Sequence, residues 1–322
     1  MVLWVVFVCL AVWICLVDRQ PLHLEILHPE VGVRQGFDFY IDSVVNGTLG
    51  GPYIYRILMP YAVYFLGKAL PNFTALDVDF LFKILLVLGC QIAFYRYLLL
   101  FFDRTAALLG TLLLDLYLNF GLSHIQGPSN IETGDLFNAL VFVLGLLCMY
   151  RNRFGSLLAL LAVGMLNRET PMFLLPVLFW EDRCQGRPVW RTLAAIAVAA
   201  IPYFGLRLLI EAKGEVTWFM FALPHNLPFV WGHTRRALIA NLRLFFLLAP
   251  LAATAVWRFR EQPAFLRTAA LMSLPFLAVH YLVGSVLEVR LWMPLFVFLI
   301  PLSAHRLQVL LARDIRIMDP RA

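Results

Sequence analysis

The sequence predicts an all-α polytopic membrane protein, on three observations. The chain is 61% hydrophobic and 14% charged, with a mean hydropathy of +0.80, far from the composition of soluble domains. Apolar runs long enough to cross or enter a bilayer fill most of its 322 residues. The basic residues, which give a net charge of +6, include only Lys68, Lys83 and Lys213 as lysines; the rest are arginines, many of them in short loops. In a soluble chain that excess would suggest nucleic acid. Here membrane topology accounts for it, because basic loops stay on the cytoplasmic side, and no nucleic-acid partner is expected.

The runs place crossings at about 2–17, 80–102, 105–122, 135–150, two arms within 155–180, and then 192–212, 238–257, 268–287 and 291–304, about ten transmembrane segments in all. The first run lacks a basic flank ahead of it and a clear small-residue cleavage site, so it reads as a helix rather than a signal peptide. Arg96 and Arg104, then Arg258, Arg260 and Arg267, then Arg306, Arg313, Arg316 and Arg321 fit inner loops and an inner tail, with both termini inside. The five cysteines have no metal-ligand spacing and sit in apolar segments or an inner loop, so no disulfide is expected.

Residues 53–70 are apolar enough to cross but carry Arg56, Pro60 and Lys68, and a crossing there would move every later basic loop outside. They are read as a juxtamembrane helix, with Tyr53, Tyr55, Tyr61 and Tyr64 at headgroup level. The chain is then a single integral membrane domain, 1–322, with a large first exterior loop at 18–79 and a second at 213–236.

The stretch 155–180 holds Arg168 and Glu169 at the centre of an apolar run. Ionisable groups at that depth are costly and mark a functional site by default. Arg151 and Arg153 precede the run, and Arg183, Arg187 and Arg191 follow it, so it should enter and leave on one side. Arms of roughly 18 Å and 15 Å fall short of a core of about 30 Å. A broken hairpin is expected, carrying Asn-Arg-Glu-Thr towards a polar cavity on the far side. Arg168 and Glu169 read either as a structural ion pair locking the hairpin or as ligand-binding groups.

The first loop is acidic, and its centre reads QGFDFYIDSVVNGTL, followed by YRILMPY. Asp38 and Asp42 are four residues apart and share a face if helical. Like charges so placed can leave one carboxylate as a base or bind a cation; the alternative is a pair of solvated loop carboxylates. Other charged candidates have plain structural alternatives. Glu288 and Arg290, in SVLEVRLWMP, read as an interfacial anchor or a site pair. Segment 217–236, ending in Arg235 and Arg236, reads as an interfacial loop or as a flap over the site. Thr133 or Asp135 caps the helix near 135, with His124 and Glu132 as possible acceptor contacts. Asp115, inside LLLDLYLNF, needs a partner such as Lys83 or Arg207. His225 and His233 lack a third ligand for zinc.

An acidic residue followed by an aromatic pair soon after the first helix (Asp38, Phe39, Tyr40), a later Tyr-Arg-x-Leu-x-Pro, and a mid-chain Arg-Glu-Thr ahead of a Pro-rich apolar arm together resemble the polyprenyl-phosphate-sugar glycosyltransferases of the GT-C superfamily. The likeness is greatest to the bacterial, mannosyltransferase-like members, and as a layout it covers most of the chain. It implies a cell-envelope transferase of the bacterial inner (plasma) membrane, with its active site facing the periplasm or exterior. Its partners would be a polyprenyl-phosphate sugar and a glycan, lipid or protein acceptor. By the same resemblance an acidic residue of the first exterior loop is the general base, which falls on Asp38 first and Asp42 second. The adjacent Asp-Glu pair common in the mannosyltransferase relatives is absent.

A departing phosphate needs positive charge, and Arg56, Arg168 and Arg290 are the expected contacts, with Arg235 and Arg236 as further candidates. Glu169, Glu132, Glu288 and Tyr40 are expected in support. Asp38, Asp42 and Glu132 are oxygen ligands of the kind Mg²⁺ or Mn²⁺ takes; an Arg cluster can replace the metal, so no cofactor is firmly expected. The alternatives to a transferase are a transporter or flippase of a lipid-linked or anionic solute, and a non-catalytic subunit of an envelope polysaccharide system.

Overall fold

In the computed structural model the apolar runs of the sequence are helical, with the run 268–287 divided between two helices. The structure describes residues 2–18, 40–48, 53–122, 132–210, 223–227, 234–257, 259–284 and 289–318. It is all-helical, with no strand among the described residues. In chain order the helices are α1 (Val2–Asp18), α2 (Leu58–Ala69), α3 (Ala75–Leu98), α4 (Arg104–Leu122), α5 (Glu132–Tyr150), α6 (Phe154–Asn167), α7 (Leu174–Cys184), α8 (Trp190–Leu209), α9 (Thr234–Val256), α10 (Ala264–Leu271), α11 (Ser273–Val283) and α12 (Met293–Met318).

Five spans are long and apolar enough to cross a membrane: Ala75–Leu98, Thr133–Tyr150, Trp190–Leu209, Leu238–Val256 and Ala264–Val283. Leu3–Leu16, Phe154–Asn167 and Met293–Val309 are shorter apolar helices. The protein is thus an all-α integral membrane protein by its helices as well as by its composition.

Local chemistry sets the helix ends. Thr74 accepts the Asp77 N–H at 3.3 Å while the Asp77 carboxylate accepts the Thr74 N–H at 3.1 Å. This reciprocal capping box starts α3 at Ala75, five residues ahead of the expected crossing. Asp103 accepts the Ala106 N–H at 2.8 Å ahead of α4. Asn152, in the left-handed region at φ 53°, makes the tight turn between α5 and α6. Pro275 has no N–H to return to Leu271, and the chain turns at Met272 between α10 and α11.

The centre of the bundle is α12. Trp292, Met293, Leu295, Phe296, Val297, Phe298 and Ile300 are buried, and the helix packs on α4, α5, α9 and α10. Phe142 meets Phe298 and Phe276 edge-on, and Tyr117 stacks on Phe296 with centroids 4.4 Å apart. At the periphery, α8 turns Ile201, Phe204, Leu208 and Leu209 outward. An apolar residue facing lipid carries none of the cost it has in water, so this distribution suits a bilayer.

The short α2 packs on α3 and α6, and Tyr61 donates to the Val45 carbonyl at 3.5 Å, tying α2 to the helical stretch at 40–45. Its twelve residues span about 18 Å, less than a bilayer core of about 30 Å.

Candidate functional site

Helix α6 stops at Asn167 because Arg168 turns extended, at φ −158° and ψ 158°. Pro171, three residues on, has no N–H for helical pairing and opens a 3-10 turn, Thr170–Phe173, before α7. The expected break therefore lies at Arg168 and Glu169. The two arms also share one base. Arg191, at the start of α8, lies over the Phe154 ring at 4.5 Å, and its Nε donates to Asp182 near the end of α7 at 3.1 Å. The ends of α6 and α7 away from the break thus meet at one residue, as a hairpin requires.

At the apex, Arg168 ion-pairs with Asp135 of α5, and the two side chains are 5% and 2% exposed. Asn167 Nδ2 donates to the Gly134 carbonyl at 2.7 Å, which holds the end of α6 against the first turn of α5. Thr133 donates its hydroxyl to Asp79 of α3, and Lys83, one turn further along α3, lies 3.4 Å from the same carboxylate. Arg56, just ahead of α2, reaches Glu169 at 3.9 Å. Arg168 and Arg207 also act on the Glu169 carboxylate. The Arg207 guanidinium lies over Tyr203 at 3.6 Å and Tyr55 at 4.6 Å, so the end of α8 is fastened to the turn that carries Arg56.

Tyr40, Arg56, Asp79, Thr133, Asn167 and Arg168 line one small cavity of about 20 Å³, with Ile41, Met59, Pro60 and Val63 on its apolar side; that is room for about one water. Ends of α3, α5 and α6 converge there with the 40–45 stretch, Arg56 and α2. Its lining sets guanidinium donors beside apolar side chains, the pairing of groups that recognises an anion on an apolar carrier, and a ligand larger than water enters only as these side chains move apart.

Of the expected site residues, Arg56, Arg168 and Tyr40 line this cavity, and Glu169 is joined to it through Arg56. Asp42 is exposed on the 40–45 stretch and is not among the lining residues. Asp38 and Glu288 lie outside the described residues, as do the side chains of Glu132 and Arg290. The turn Val289–Trp292 does place Arg290 two residues from Trp292, whose ring is 5.9 Å from His280; His280 in turn is 5.6 Å from Phe173 of the hairpin. Among the described residues no group of three or more His, Cys, Asp or Glu side chains could hold a metal ion.

Two sequence expectations are corrected. Neither Thr133 nor Asp135 caps α5, because the helix already runs from Glu132 and both side chains reach other helices. Asp115 is held by Gln91, whose amide donates to both carboxylate oxygens at 3.1 Å, rather than by Lys83 or Arg207. Lys83 lies two helical turns from Gln91 and faces Asp79 instead. Asp79 was the residue sequence reasoning missed. Its signal was the i,i+4 spacing to Lys83 inside an apolar run.

A separate groove of about 830 Å³ runs between α9 and α11, lined by Leu244, Phe245, Leu248, Leu274, Leu277 and their neighbours. Asn241 and Tyr281 line it too. Tyr281 donates to Asn241 Oδ1 at 3.0 Å, and Asn226 Nδ2 donates to the Tyr281 and Gly284 carbonyls at 2.7 Å each. This network fastens the Leu223–Asn226 turn, within the second expected exterior loop, beside the groove.

Compared with known proteins, the chain matches no family model, no curated protein and no solved structure.

Proposed function

We propose that the protein is an integral membrane glycosyltransferase, moving a sugar from a polyprenyl-phosphate donor to an acceptor on the exterior face with inversion at the anomeric carbon. The observation that carries the reading is the meeting of Arg56 and Arg168 in one cavity, at the end of the bundle next to the chain that follows Asp38. About ten crossings, a bacterial plasma membrane and the GT-C resemblance belong to the same reading. The groove between α9 and α11 supports it, since its lining is apolar and suits an isoprenoid chain.

In this mechanism Asp38, with Asp42 as the second candidate, accepts the proton of the acceptor hydroxyl. The hydroxyl oxygen forms its bond to the anomeric carbon as the bond from that carbon to the phosphate oxygen breaks. The polyprenyl phosphate leaves with the electron pair, and the charge growing on it is stabilised by Arg56 and Arg168. A guanidinium suits this role because it stays charged and presents paired donors. Arg290 is a third donor candidate, and Tyr40 contributes a wall of the cavity.

The test is sugar release from a panel of polyprenyl-phosphate sugars by the purified protein, wild type beside Asp38→Asn and Asp42→Asn. Turnover that one substitution abolishes while donor binding persists supports the reading and identifies the base. Turnover unchanged in both removes these carboxylates from the mechanism. A transporter is the second reading, favoured by the helix broken at buried charges. Donor movement across proteoliposomes with no sugar release would select it.

A further inference from the structure

We propose that Glu169 is an internal anion occupying the place of the donor phosphate at Arg56, and that the arriving phosphate displaces it. The inference rests on the lipid-phosphate reading above and adds a device that the reading does not require.

Three ion pairs among the described residues around the cavity differ in kind. The Arg168–Asp135 pair is 5% and 2% exposed and joins two helices across a close contact. Lys83 and Asp79 are 10% and 6% exposed, and Asp79 also accepts the Thr133 hydroxyl. Exchanging either pair for a ligand would strip a buried charge of its partner, which is costly. The Arg56–Glu169 pair is long, at 3.9 Å, and the Glu169 side chain is 44% exposed against 14% for Arg56. A pair this long and half-exposed contributes little. Glu169 is the more exposed partner, whereas Arg56 lines the cavity wall.

A phosphate taking the place of Glu169 at Arg56 offers two oxygens in the geometry its paired donors match, a stronger contact than one carboxylate oxygen at 3.9 Å. The carboxylate is therefore one counter-charge of Arg56 between turnovers and competes with the ligand during binding. A carboxylate that merely positioned Arg56 would act in the opposite direction: removing it would weaken phosphate binding.

Calorimetric titration of the full chain in detergent with dodecyl phosphate separates the two, comparing wild type, Glu169→Gln and Arg56→Gln, with Glu169→Ala as a second way of removing the charge. Displacement predicts that both Glu169 variants bind about threefold to fivefold more tightly, that Arg56→Gln binds more weakly, and that adding Glu169→Gln to Arg56→Gln recovers nothing. Equal or weaker binding by the Glu169 variants overturns the inference; if wild type still binds, the lipid-phosphate reading survives it. Absence of binding by every protein overturns both. Inorganic phosphate is titrated in parallel. Tighter binding of it by the Glu169 variants, with no advantage for the dodecyl ester, would keep displacement and assign the place to a soluble anion.

Discussion

Arg168 and Asp135 form an ion pair between the apex of a broken hairpin and the first turn of a neighbouring helix, both side chains almost wholly enclosed. The pair explains how backbone that has left the helix can be held at depth. Asn167 bonds the α5 backbone, Arg168 bonds an α5 side chain, and the break is fixed from both sides. It also separates two questions, namely what the apex costs to keep in place and what it does there.

The first prediction concerns that cost. Asp135→Asn removes a carboxylate from a buried guanidinium and should destabilise the protein by about 3–5 kcal/mol. The double substitution Asp135→Leu with Arg168→Met should lose much less, because no charge stays buried. Unfolding midpoints in detergent would check this, and equal losses in the single and double variants would contradict it.

Gln91 and Asp115 make the second case, away from the cavity. Gln91→Leu takes the amide donor from both carboxylate oxygens, with an expected cost of about 1–3 kcal/mol. Pairing it with Asp115→Leu should restore most of the loss, a coupling that a double-mutant cycle measures directly. Simple additivity of the two losses would mean the contact contributes little.

Gly164 lies under the hairpin's turn. A Cβ there would sit 3.0 Å from Pro171 Cγ and 3.1 Å from Val141 Cγ1. Gly164→Val should therefore overpack the contact between α6 and α5 and cost about 1–3 kcal/mol. The proline ring cannot swing aside as a leucine could. Gly155→Val is the control, since a Cβ at Gly155 meets nothing within 4 Å. Equal loss at both positions would point to helix propensity rather than packing.

Sidedness gives a fourth prediction. With Cys9 and Cys184 replaced by serine, single cysteines at Gln185 and Glu261 should resist a membrane-impermeant maleimide added from outside, whereas Asn130→Cys and His225→Cys should react. The reverse pattern would turn the cavity to the inner face and remove the exterior acceptor from the proposal.

Much of the helix layout was legible because it depends on one-dimensional signals: apolar runs, their basic flanks, and two charges with a proline close behind at the break. The pairing of charges was not. Asp79 and Thr133 are 54 residues apart, and their meeting depends on how α3 and α5 are rotated about their axes. Asp135 read as a helix cap because its neighbours permitted one; its real partner lay on another helix. Lys83 and Asp115 were matched as the conspicuous charges of two apolar runs, yet Lys83 lies a helical turn from Asp79 and Gln91 is the group that reaches Asp115. Gln91, being neutral, drew no notice. Asp38, the residue on which the proposed chemistry leans most, lies outside the described residues.

The arms of the hairpin are gathered at Arg191, which holds Phe154 and Asp182 together, while the working groups stand at the opposite tip. Arm length is therefore a ruler. One residue inserted in α6 would raise Arg168 by about 1.5 Å and swing it about 100° around the axis, off Asp135. Apolar substitutions along the arm can drift freely by comparison. Among descendants of this chain, residue identity along α6 should vary while the count from Phe154 to Arg168 stays constant.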